Sequence, residues 1–79
     1  MDLVDLTKYL VMNLVKDTDS VSVTLSDGDE KVIEVLVAED DIGAVIGRGG
    51  KIANSIRNIV QASAYINNLG RVKVNISAK

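Results

Sequence analysis

Val45-Ile46-Gly47-Arg48-Gly49-Gly50-Lys51 is the stretch that decides how this chain folds. Gly47 and Gly50 bracket two residues, one of them cationic. The apolar turn Asp41-Ile42-Gly43-Ala44-Val45-Ile46 leads in, and a long amphipathic helix from Lys51 to about Asn67 leads out. A glycine-flanked turn between two helices leaves backbone N–H groups free at the start of the second helix. Those orphan donors and the positive end of the helix dipole both attract an anion. Arg48 and Lys51 place cationic side chains beside them, so phosphate is the ligand such a loop would take. The same residues would also serve as a tight helix–helix turn with no ligand.

Upstream, Leu3, Leu6, Leu10 and Leu14 recur at helical spacing, with Val4, Val11 and Val15 widening the stripe, and predict a helix from about Asp2 to Lys16. The apolar arc covers roughly half the circumference, wider than a minimal core-facing stripe, and reads first as a helix buried by its own sheet and second as one whose flank also meets a partner. Tyr9 and Met12 lie outside it. Val21, Val23 and Leu25 then alternate with Ser20, Ser22, Thr24 and Ser26 in a first strand. Asp27-Gly28 signals a hairpin turn. A second strand spans about Lys31 to Ala38, with Ile33, Val35 and Val37 on one side and Val32, Glu34, Leu36 and Ala38 on the other. Glu39-Asp40-Asp41 opens the short helix, with aspartates at or near its N-cap.

Downstream, Ile52, Ile56, Ile59, Val60 and Ser63 are expected to form the core stripe of the long helix, and Asn67-Asn68-Leu69-Gly70 to stop it. A third strand runs from Arg71 to Ser77, with Val72, Val74 and Ile76 inward. The order is helix, strand, strand, helix, helix, strand. Clean alternation in the first and third strands leaves the sheet one wet face, so the helices pack on the other. The fold class is a two-layer α+β domain with a three-stranded sheet, spanning residues 1–79 as one unit.

Composition narrows the chemistry. With no cysteine and no histidine, the chain has neither a thiolate metal site nor the commonest general base and metal ligand. Gly50-Lys51 is followed by Ile52 and has no glycine five positions before it, so it is not a Walker A loop, and Gly47, Gly49 and Gly50 do not space as a dinucleotide fingerprint. Asp40 and Asp41 are better explained as helix-capping charge than as a catalytic pair. The expectation is a protein that is not an enzyme and needs neither a cofactor nor a metal. Asp2 and Asp5 sit where a secretory leader would be positive, and no apolar run is long enough to span a bilayer, so a cytosolic protein is expected. Net charge is −2 and the pI is about 4.8, low for a nucleic-acid binder.

The element order and the run Glu39 to Arg57 (Glu-Asp-Asp-Ile-Gly-Ala-Val-Ile-Gly-Arg-Gly-Gly-Lys-Ile-Ala-Asn-Ser-Ile-Arg) resemble the type II KH family, most closely its small bacterial KhpA-like group. Many KH domains carry a large aliphatic residue where Ala53 stands; the small residue suits the KhpA-like group. The resemblance implies an α-β-β-α-α-β KH fold that binds short single-stranded RNA. Gly47, Arg48, Gly49, Gly50 and Lys51 would hold phosphates, and the bases would lie in a groove walled by Gly43, Ile46, Ile52, Ser55, Val35 and Val37. With no aromatic near the loop in sequence, recognition should be weak and tolerant. The resemblance further implies an RNA chaperone or post-transcriptional regulator linked to cell elongation and division, acting as a homodimer or with a larger KH-containing protein, KhpB. The alternative is a protein-interaction module with a vestigial loop.

Overall fold

Strand β2 (Lys31–Val37) is the most apolar strand of the chain, and the protein is built around it. The computed structural model describes residues 2–79. β1 (Ser22–Asp27) pairs antiparallel with β2 across the Asp27-Gly28 hairpin, and β3 (Val72–Ala78) pairs parallel on the other side, giving the order β1-β2-β3. In this register Leu25 and Val74 both lie opposite Ile33, and Val23 and Ile76 both lie opposite Val35. One face of the mixed sheet is therefore aliphatic. The other carries Thr24, Glu34 and Asn75 in one row, with the Asn75 amide donating to Glu34 Oε1 at 3.1 Å.

Three helices cover the aliphatic face: α1 (Leu3–Met12), α2 (Ile42–Ile46) and α3 (Lys51–Ile66). Ile33, Val35, Val37, Val11, Val45 and Val60 are fully enclosed between the layers. Burying each such side chain is worth about 1.5–3 kcal/mol, and this is the main stabilising term. The structure is the two-layer α+β arrangement expected from the sequence.

The helices depart from expectation in three places. α1 ends at Met12 rather than near Lys16, because the Asn13 amide turns back onto the Tyr9 carbonyl (2.7 Å). Leu14 and Val15 still pack on the core from irregular backbone. Thr7 is buried on the core face of α1, which it can be because its hydroxyl donates to the Leu3 carbonyl at 2.7 Å. On α3 the buried residues are Ala53, Ile56, Val60 and Ala64, not the expected set with Ile52, Ile59 and Ser63. Alanines at 53 and 64 let the helix lie close to the sheet. Ile52 and Ile59, at 36% and 46% exposure, face outward.

Asp41 also differs from expectation. Its carboxylate does not cap α2. It reaches across to the chain leaving α1 and accepts from the backbone N–H groups of Lys16 (3.1 Å) and Asp17 (3.0 Å). Those two hydrogen bonds hold its pKa below the usual carboxylate value. A group with a lowered folded-state pKa contributes stability at pH values above its unfolded pKa and loses it as pH falls through the folded one. Asp41→Asn should therefore lower the urea midpoint at pH 7, and the gap to wild type should close below roughly pH 4. Ile33→Ala, at the centre of the sheet, should cost about 2–5 kcal/mol at any pH. Urea titrations from pH 2.5 to 7 measure both.

Candidate nucleic-acid interface

α2 stops at Gly47, whose φ of 75° and ψ of 174° belong to glycine alone. The Ile52 side chain lies where a Cβ on residue 47 would go: that atom would sit 2.6 Å from Ile52 Cγ1 and 2.9 Å from Ile52 Cβ. The chain then passes through Arg48 into Gly49 (φ 63°) and Gly50 (φ 78°), both left-handed, before α3 begins at Lys51. The Gly47 N–H donates to the Gly43 carbonyl and the Gly50 N–H to the Gly47 carbonyl, while Lys51 N–H donates to Arg48. The exposed side chains of Arg48 and Lys51 flank the exposed Gly49 where the sixteen-residue α3 begins, so the backbone N–H groups of this turn stand at a helix N-terminus.

The expected groove residues do not share one surface. Gly43 is exposed and Ile46 half-buried on α2. Ile52 and Ser55 are exposed on α3, with the Ser55 hydroxyl donating to the Lys51 carbonyl at 2.9 Å. Val35 and Val37 have no exposed surface; they point from the central strand into the helices and cannot wall a groove. At 3.6 residues per turn, the flank of α3 that meets β3 carries Asn54, Arg57 and Gln61, not Ile52 and Ser55. Arg57 Nε donates to the Val74 carbonyl at 3.1 Å, and Arg57 Nη1 to Asn54 Oδ1 at 3.2 Å. Gln61 holds the start of β3, donating to the Gly70 carbonyl (2.9 Å) and accepting from the Val72 N–H (3.0 Å).

These contacts identify β3 as an edge strand with its outer backbone groups facing α3. Lys79 N–H donates to Val37 O, so the odd-numbered positions of β3 turn to β2 and those of Val74 and Ile76 turn outward. Sequence alone does not join Arg57 and Asn54 to this edge, because it leaves the position of the third strand in the sheet open. An open cleft of about 910 Å³ continues along the same edge, with Arg57, Asn58, Arg71 and Lys73 on one side and the hairpin Asp27–Lys31 on the other.

Charge is divided along the chain. All eleven acidic residues lie in residues 1–41, together with Lys8, Lys16 and Lys31. Residues 42–79 carry Arg48, Lys51, Arg57, Arg71, Lys73 and Lys79 and no acid at all. The low pI is an average over two unlike halves, and the loop belongs to the half that carries only cations. Among the described residues, no three acidic side chains gather as a metal site.

The loop geometry makes a stability prediction. Gly49→Ala places its Cβ in open space and should cost only the left-handed strain, about 1–2 kcal/mol. Gly47→Ala adds a collision with Ile52 and should cost clearly more. Chemical denaturation of the two variants side by side measures the difference, and equal costs would contradict the Ile52 contact.

Residues 4–76 match the family model described as KhpA/KhpB, KH domain. A protein of Borreliella burgdorferi named RNA-binding protein KhpA is 34% identical, over 92% of this chain and 89% of its own. A protein of the same name from Clostridium acetobutylicum is 39% identical, over 90% of this chain and 95% of its own. Among solved structures, Aquifex aeolicus Era bound to GDP and aluminium fluoride superposes with a TM-score of 0.71 at 17% identity, over 98% of this chain but only 30% of that one. Era in complex with MgGDPNP and nucleotides 1506–1542 of 16S ribosomal RNA gives the same TM-score at 18% identity and the same coverage. The Era structures show a shared fold, and the family match and the curated relatives show more: this chain belongs to the KhpA/KhpB KH-domain family.

Proposed function

We propose that this protein is a non-catalytic binder of short single-stranded RNA, with the Gly47-Arg48-Gly49-Gly50 loop as its phosphate seat. The observation that carries this is the left-handed turn at Gly49 and Gly50, with Arg48, Gly49 and Lys51 exposed at the N-terminus of α3, in the half of the chain that has no acid. Backbone donors aimed outward fit phosphate oxygens, and glycine at 47, 49 and 50 keeps side chains out of the way of the sugar–phosphate chain. The relatives' name, RNA-binding protein KhpA, supports RNA as the nucleic acid. Bases would then lie over Ile46 and the Asn54–Arg57 flank, against the outer edge of β3.

Affinity should be low. The two tyrosines, Tyr9 on α1 and Tyr65 near the end of α3, are both exposed and remote in sequence from the loop, so no aromatic platform stacks the bases. Two phosphates neutralised by Arg48 and Lys51 imply a salt slope of about −1.4 in log K against log salt. Pairing two clamps raises affinity through effective concentration. The outward face of α3 suits that role: Ile52, Ser55, Ile59, Ala62 and Ile66 recur at alternating three- and four-residue steps and are all exposed. The row reads large-small-large-small-large about Ile59, so a second copy running antiparallel fits its isoleucines over Ser55 and Ala62. The same seam would serve a KhpB partner. In the cell we place this protein in the cytoplasm as an RNA chaperone or post-transcriptional regulator, and a deletion strain should show altered cell length or division.

Fluorescence anisotropy with a labelled single-stranded RNA tests the site. Arg48→Asp with Gly49→Asp should abolish salt-sensitive binding while circular dichroism stays native. Retained binding in the folded variant would return the loop to a plain turn and favour the protein-interaction alternative. Ile59→Lys should halve the mass by sedimentation and weaken binding to RNAs long enough for two clamps, without affecting the shortest.

A further inference from the structure

At the end of the molecule away from the loop, the start of α1, the far end of β1 and the chain leaving α3 enclose a notch of about 270 Å³. Its floor and walls are apolar: Leu3, Val4, Leu25 and Leu69. Leu25 and Leu69 are 42% and 39% exposed. Its rim is acidic. Asp2 and Asp27 line it directly, and Asp5, Asp29 and Glu30 follow within three residues of them. Lys31 is the one cation in the lining, and it is held by Asp27 at 3.7 Å.

From this juxtaposition we infer that the notch is a docking site for a basic protein segment, one or two aliphatic side chains flanked by lysine or arginine. The apolar pocket supplies the anchor for the aliphatic residues, and the carboxylate rim supplies charge complementarity and disfavours acidic partners. An acidic rim disfavours RNA. The notch shares Asp27 and Lys31 with the open cleft beside β3 but lies apart from the Gly47–Gly50 loop, and the inference does not depend on the loop's ligand. A basic segment could dock while the loop is occupied.

The test uses three fluorescein-labelled peptides, KRLLRK, EDLLDE and KRSSRK, titrated with the full chain, and amide chemical shifts of the wild-type protein titrated with KRLLRK. The expected result is saturable binding of KRLLRK alone, weakened by added salt, with the largest shifts at Val4, Leu25 and Leu69. Asp27→Lys and Leu69→Ser should each weaken it about tenfold. The Arg48→Asp/Gly49→Asp variant should bind the peptide as wild type does, which separates this site from the RNA loop. Equal binding of EDLLDE or KRSSRK, shifts centred on the loop or on α3, or no saturation by millimolar peptide would overturn the inference. So would protection of Leu25 and Leu69 by self-association, which would make a second copy the occupant.

Discussion

Ile52 packs so closely on residue 47 that no side chain fits there, and the geometry of the loop follows from that contact. With glycine required, α2 can stop abruptly in an extended left-handed conformation instead of fraying, and α3 can start four residues later. The turn places Arg48 and Gly49 exposed at the start of that helix. The other side of α2 is fixed by Asp41, whose carboxylate ties the end of the α1 segment to the approach to α2. The loop is thus held by an apolar contact on one side and a charge-assisted one on the other. A donor pair held rigid before the ligand arrives loses little entropy on binding.

Much of this was legible in the sequence, for identifiable reasons. Strict alternation at 21–25 and 72–76, the Asp27-Gly28 turn and the glycine run set the element order and the two-layer fold, because each is a local signal with one structural solution. The loop residues were legible for the same reason. What was not legible depends on tertiary fit. The phase of α3 was misjudged because large aliphatics at 52 and 59 outweigh alanines at 53 and 64 in any hydrophobicity pattern, whereas close packing on a sheet favours the small residues. Buried Thr7 was hidden because its hydroxyl bonds back to its own helix. The resemblance implies Val35 and Val37 as groove walls, but strand alternation tells which residues share a face and not which face is covered, and both are enclosed. The Arg57 contact to Val74 required knowing that β3 lies at a sheet edge.

The misjudged isoleucines and the divided charge become informative once placed. Ile52, Ile59 and Ile66 are not spare core; they form an outward apolar row on the helix that begins at the phosphate seat. The acid-free half contains α2, α3 and β3, so the cations fall along the loop and the open strand edge. The acidic half contains α1 and the hairpin, around the apolar notch. A net charge of −2 thus coexists with a stretch, residues 42–79, that carries only cations.

The central claim is that the Arg48 and Gly49 amides are where RNA phosphate binds. The most direct measurement is a titration of the isotopically labelled protein with a short single-stranded RNA, following backbone amide shifts. The account predicts that the Arg48 and Gly49 amides move first and furthest, downfield as they engage phosphate, followed by Asn54 and Arg57. Saturable binding that leaves those two amides unmoved would contradict it.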